Sequence, residues 1–204
     1  MLTFWYGTEK IYEFEISCVD TEETYPEDFC AVLPVKKWKG QKIRIEGDVC
    51  ESLLAAVREK ESAVRENSGY IHFVPETGWI NDPNGLIYSE GKYHLYFQHN
   101  PVDVNWGNMS WGHAESTDLL HWVQKEDVMF PDENGTMFSG CAILNERGLL
   151  GLPKDTPVFF YTVAGSASEW SKGKKICTAD CLQYGSGRNT DEDRRECVGT
   201  HRSR

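Results

Sequence analysis

The chain lacks any apolar run long enough to cross a bilayer: the longest, Val158 to Ala164, is strand-sized against the ~20 residues a spanning helix needs. Its N-terminus, Met1-Leu2-Thr3-Phe4-Trp5-Tyr6-Gly7, lacks both the basic leader and the apolar stretch of an export signal, so a cytoplasmic location is expected. Positive charge is also scarce. Lys and Arg number 21 against 32 Asp and Glu, a formal net charge of −11 that repels phosphate backbones and anionic lipid; neither nucleic acid nor membrane is an expected partner. A regular cysteine framework is missing too, because the seven cysteines, at positions 18, 30, 50, 141, 177, 181 and 197, are odd in number and scattered, as in a reducing compartment. Cys177 and Cys181 are the one close pair, and with no second pair or nearby histidine they make no expected metal site. The sequons Asn108-Met109-Ser110 and Asn134-Gly135-Thr136 matter only in a secreted eukaryotic protein and are read as chance.

What the chain has is core-forming material. An apolar fraction of 40%, with 12% aromatic residues, excludes a disordered polymer. Lys10 to Ile16 and Lys42 to Glu46 alternate apolar and charged residues, and Phe29 to Val35 lies between them as a third strand of a sheet that looks incomplete at its front. Asp48 and Glu51 can form a capping box for a helix reaching about Glu66, with Leu53, Leu54, Val57 and Val64 on one stripe. Residues 1–69 are therefore expected to be a small β-rich module with one helix. From Tyr70 the chain becomes a series of aromatic-rich strands parted by Gly, Asn, Asp and Pro, with strands expected at Leu86 to Tyr88, Lys92 to Gln98, Trp111 to Glu115, His121 to Gln124, Cys141 to Leu144 and Val158 to Val163. The fold class is all-β, and the spacing suits a sandwich, a barrel or propeller blades.

Chemistry concentrates between His72 and Gly140. Asp82-Pro83-Asn84-Gly85 fills the four positions of a type I turn, in which Asp82 would serve only as a cap. That motif is followed by Tyr96-Phe97-Gln98-His99-Asn100-Pro101, by Trp106-Gly107-Asn108-Met109-Ser110-Trp111-Gly112-His113-Ala114, and by Phe138-Ser139-Gly140. Each segment mixes planar aromatics with amides and hydroxyls, the groups that stack on the C–H face of a neutral sugar and bond its hydroxyls. Taken singly, Gln98 reads equally as solvation of a strand end, and Trp106 and Trp111 as core.

Together, from about Tyr70 to Lys175, these segments resemble glycoside hydrolase family 32, the β-fructofuranosidases that include invertases, levanases and exo-inulinases. Trp79-Ile80-Asn81-Asp82-Pro83-Asn84-Gly85 resembles the family's nucleophile motif, with Ile80 where Met is common, and the later segments fall in family order. Trp38-Lys39-Gly40-Gln41-Lys42-Ile43 is similar to the module that precedes the catalytic domain in some bacterial levanase-like members. The resemblance implies a five-bladed β-propeller with its site in the axial funnel, and a neutral fructosyl saccharide as partner. It makes Asp82 the nucleophile, Asn81 and Gln98 ligands of fructosyl hydroxyls, Trp79 and Trp106 pocket walls, Phe138 with Ser139 another side, and His113 structural. A retaining glycosidase works with two carboxyl groups ~5–5.5 Å apart and requires no metal or organic cofactor.

Two family motifs are not matched. No Arg-Asp-Pro occurs, and the Glu196-Cys197 dipeptide lies in an Arg-rich, Cys-rich stretch, residues 177–204, that reads as a disordered tail or as the product of a shifted reading frame. Glu196 is therefore not the expected acid/base, which stays unassigned. Residues 70–204 allow at most three blades of ~40–50 residues, so residues 70–176 are expected to be an incomplete propeller, inactive alone. A catalytically silent sugar-binding protein and a five-bladed furanosidase acting on arabinan-type substrates stand as alternatives.

Overall fold

A computed structural model describes residues 1–16, 31–47, 72–149, 151–183 and 195–198, the side chains among them through Ile176. Every regular element there is a strand except a single 3-10 turn at Lys36–Trp38. The strands are β1 (Leu2–Tyr6), β2 (Glu9–Phe14), β3 (Ile43–Gly47), β4 (Trp79–Ser89), β5 (Lys92–Asn100), β6 (Ser110–Ser116), β7 (Trp122–Gln124), β8 (Thr136–Leu144), β9 (Pro157–Ala164), β10 (Cys177–Gln183) and β11 (Arg195–Val198). They form three antiparallel sheets, ordered β2-β1-β3, β4-β5-β6-β7 and β11-β10-β9-β8. The last two run in chain order, as propeller blades do. Local sequence explains the hairpins: Glu90 and Gly91, both at positive φ, make the two-residue connection from β4 to β5, and Gly7 supplies the one between β1 and β2.

The alternation in β5 sorts two cores. Tyr96 joins Ile87, Trp111, Met129, Met137, Phe159, Tyr161 and Val163 between the two four-stranded sheets. Phe97, with Tyr93 and Leu95, faces the other way onto Ala114, Trp122 and Phe73. Gly112 is required at this second layer, since a Cβ there would lie 2.3 Å from the Phe97 ring. A third cluster of Tyr12, Phe14, Val102 and Phe130 docks the N-terminal sheet on the rest. Polar bonds fix that docking: the Asn108 side chain pairs with the backbone N–H and C=O of Glu15 at 2.8 and 2.7 Å, and Glu13 accepts the Trp170 N–H at 2.8 Å. Asn108 is thus occupied in docking.

Two sequence expectations are corrected. Residues 31–35 are irregular rather than part of a third strand; Pro34 has no N–H for a ladder, and its carbonyl accepts the Tyr12 hydroxyl at 2.7 Å. The third strand of the small sheet is β1 instead, lying between β2 and β3. Asp82-Pro83-Asn84-Gly85 does not reverse the chain, because Trp79 and Ile80 on one side and Leu86 to Tyr88 on the other all pair with β5. The turn formers are absorbed as irregularities of an edge strand, where proline is tolerated. The expected helix from Asp48 to Glu66 lies outside the described residues, whereas 177–183 and 195–198 pair as strands onto β9 and β10.

The two blade-like sheets are in close contact at Gly85, where an added Cβ would lie 2.7 Å from the Ala142 Cβ. Gly85→Val is expected to push β4 from β8 and cost about 1–3 kcal/mol, read as a lower urea midpoint at unchanged slope.

Candidate active site

Register builds the site. Ile80 pairs with His99 and Pro83 with Phe97, so Asn81 and Asp82 together oppose the single residue Gln98 in a β-bulge. On the facing sheet Met137 pairs with Val163 and Gly140 with Tyr161, so Phe138 and Ser139 likewise oppose one residue, Thr162. Each strand thus spends an extra residue where the sheets meet. The Ser139 hydroxyl donates to Asp82 Oδ2 at 2.7 Å, leaving the exposed carboxylate aimed by one bond. Gln98, 2% exposed, donates from Nε2 to the Met137 carbonyl at 2.8 Å, which ties the floor of the first bulge to the root of the second. Trp111 does the same, donating its indole N–H to the Phe138 carbonyl at 3.1 Å.

The remaining predicted groups surround this pair. Trp79 donates to Asn81 Oδ1 at 3.1 Å, and Trp106 packs edge-on against Phe138 with centroids 6.2 Å apart. Trp106 is 59% exposed and so presents a free face. Glu196 lies on β11, opposite Leu182, at the far edge of its sheet from β8. Three inter-strand steps of ~4.8 Å separate it from β8.

Beneath the Trp79–Asp82 segment is a buried dyad that the sequence does not announce. His99 Nε2 meets the Thr77 carbonyl at 2.9 Å and Nδ1 meets Asp127 Oδ2 at 2.8 Å. Because the carbonyl can only accept, Nε2 carries a proton, and the Nδ1–Oδ2 contact must hold another. The pair therefore has no net charge. Burial pushes the His99 imidazole down, but the bond to and charge of Asp127, with Thr77, outweigh it and leave its pKa raised; burial likewise raises the Asp127 carboxyl, which His99 opposes. Stability from His99 is complete below the ordinary histidine pKa and is lost as pH rises through the raised value.

A second imidazole pair lies at the other end of β5 and β6. His94 Nδ1 and His113 Nε2 are 3.1 Å apart, and with Glu115 they are the one cluster of metal-binding type among the described residues. The arrangement does not suit a metal. Ring centroids 5.4 Å apart and planes within 14° make the centroid separation nearly the contact plus two ring radii, so each nitrogen points straight at the other rather than at a shared ion. Lys92 and Lys125 also hold the Glu115 carboxylate, at 2.8 and 3.3 Å. His113 is buried and stacked on Tyr96, with ring centroids 4.6 Å apart.

Residues 72–194 match the model of the glycosyl hydrolases family 32 N-terminal domain. The chain belongs to that family. The family 32 match continues through residue 194, beyond the Lys175 at which the sequence resemblance ends. Levanase from Bacillus subtilis (strain 168) is 46% identical over 94 residues, which are 45% of this chain and 14% of that protein. Raffinose invertase from Escherichia coli is 47% identical over 107 residues, 50% of this chain and 22% of its own length. Fructan 1-exohydrolase IIa from Cichorium intybus, a solved structure, is 31% identical over 62% of this chain and 21% of that one, with a TM-score of 0.45. The chain thus spans less than a quarter of the length of each of these relatives.

Burial, then the neighbouring His94, pushes the His113 pKa down to about 4, against the partial opposition of Glu115. A depressed histidine contributes stability above its unfolded pKa of about 6.5 and loses it as pH falls through the folded value, a swing of about 3 kcal/mol. His113→Phe is therefore expected to flatten the fall in urea stability between pH 6.5 and 4 relative to the parent chain.

Proposed function

We propose that the chain is the part of a retaining β-fructofuranosidase that carries the nucleophile, and that the whole enzyme cleaves terminal β-D-fructofuranosyl residues from fructans or sucrose. One observation carries the reading: within the family 32 match, Asp82 stands in a bulge, bonded to Ser139 and opposed by Gln98. In this reading the Asp82 carboxylate attacks the anomeric carbon and the glycosidic bond breaks. A protonated carboxyl from elsewhere gives its proton to the leaving oxygen, and water then cleaves the fructosyl ester. Ser139 holds Oδ2 so that the other oxygen is left for attack. Asn81 and Gln98 read the ring hydroxyls, while Trp79, Trp106 and Phe138 shield the reacting centre from water.

The same geometry favours a second reading for the chain alone. The Asp82 carboxylate is held by the Ser139 hydroxyl, and its acid/base partner is unassigned. On this reading the chain binds a fructosyl unit without cleaving it.

The purified 204-residue chain is accordingly expected to release no fructose from sucrose, inulin or levan. In an enzyme that supplies the acid/base, Asp82→Asn is expected to remove nearly all turnover with folding intact, since the amide keeps the bulge but cannot form the ester. Ser139→Ala should be milder, costing about 1–2 kcal/mol of transition-state binding for one hydrogen bond to a charge. Normal turnover by Asp82→Asn would return Asp82 to a purely structural role.

A further inference from the structure

The loop that follows β5 carries the exposed indole of Trp106, and a small set of polar side chains governs where that indole stands. Asn100, buried at the end of β5, donates from Nδ2 to the Asn105 carbonyl at 2.8 Å, which holds the chain directly before Trp106. Asp103 Oδ1 accepts the Asn105 backbone N–H at 3.0 Å, so Asn105 is held from two sides. After Trp106 the chain passes through Gly107 to Asn108, whose φ of 45° lies in the left-handed region that asparagine tolerates. The Asn108 side chain closes the loop from its other end. Its Nδ2 donates to Asn100 Oδ1 at 3.2 Å and to the Glu15 carbonyl at 2.7 Å, while its Oδ1 accepts the Glu15 N–H at 2.8 Å. One amide thus joins the loop of Trp106 to the residue that follows β2 in the N-terminal module.

Docking of the module does not rest on those bonds alone, since the cluster of Tyr12, Phe14, Val102 and Phe130 and the bond from the Trp170 N–H to Glu13 also hold it. What Asn108 adds is a connection to the candidate active site. Trp106 lies two residues before it and packs edge-on against Phe138, the neighbour of the Ser139 that bonds Asp82. A ring this exposed is held little by packing, so the backbone anchors on either side of Trp106 set its position. We propose that Asn108 is a positioning residue for the Trp106 wall, and that through it the N-terminal module sets the shape of the pocket in which Asp82 takes a fructosyl unit. The second half of the proposal rests on the reading of Asp82 given above. Asn108 touches no reacting atom and acts only through the loop. Without its amide the segment around Trp106 is anchored at Asn105 alone and gains backbone freedom, which a sugar must remove on binding.

The test uses the full 204-residue chain, 15N-labelled, and follows the indole N–H resonance of Trp106, assigned by its loss in Trp106→Phe. Asn108→Gly is the first variant, because glycine takes the same positive φ without strain while losing the bonds to Asn100 and Glu15. It is expected to shift and broaden the Trp106 resonance and to weaken sucrose binding about fivefold, the scale of one displaced aromatic contact. Asn108→Asp keeps an acceptor for the Glu15 N–H but has no donor for Asn100, and gives the same reading if the glycine variant does not fold. Tyr12→Phe is the control: it removes the module's bond to the Pro34 carbonyl, keeps the ring in the docking cluster, and should lower the thermal midpoint with the Trp106 resonance and sucrose affinity unmoved. An unmoved Trp106 resonance in the Asn108 variants, or an equal shift in Tyr12→Phe, overturns the proposal and leaves the Asp82 reading standing. A moved resonance with unchanged sucrose affinity overturns the link from module to pocket. The resonance is read without sugar, so a parent chain that binds no sucrose overturns the Asp82 reading and the pocket with it, while the resonance still shows whether Asn108 positions Trp106.

Discussion

Everything proposed for this chain depends on two bulges, one in β4 opposite Gln98 and one in β8 opposite Thr162, where the two four-stranded sheets touch. A regular strand sends alternate side chains to opposite faces, so Asn81, Asp82 and Ser139 could not all be presented at one rim by an unbroken ladder. The bulges re-aim them, and the close approach of the sheets at Gly85 brings the two irregularities within a hydrogen bond. Gln98 and Trp111 then lock the geometry, since each reaches from the first sheet to a backbone carbonyl of β8. The polar site is therefore carried by an apolar core, in which Tyr96, Trp111, Phe159 and Tyr161 keep the sheets at fixed separation.

Buried polar groups are placed where they fix backbone rather than where they react. The neutral His99–Asp127 pair holds the Thr77 carbonyl just ahead of Trp79, and the His94–His113 pair closes the other end of the same two strands. Their titrations oppose each other: the first favours the folded state at lower pH and the second favours it at higher pH. The stable range is bounded from both sides by histidines of β5 and β6.

Much of this was legible in the sequence. The alternation of Tyr93, Leu95 and Phe97 with His94, Tyr96 and Gln98 reports a strand covered on both faces, and the ordered aromatic-amide segments give the family. The bulge was not legible, because Asp-Pro-Asn-Gly has the composition of a turn and only pairing to β5 on both sides decides otherwise. Asp127, in a run of charged residues, carries no local sign of its partner. Contacts across ninety or more residues, such as Glu15 with Asn108 and Glu13 with Trp170, have no local pattern at all.

The central claim is that Asp82 is placed to attack a fructosyl unit even in a chain without a described acid partner. β-D-Fructofuranosyl fluoride tests it directly, since fluoride leaves without a proton and so needs no acid. Incubation of the 204-residue chain with this donor, followed by peptide mass mapping, should show one fructosyl unit esterified to Asp82 and none in Asp82→Asn. An unmodified chain under conditions where fructose binds, or an adduct on any other residue, would contradict the account.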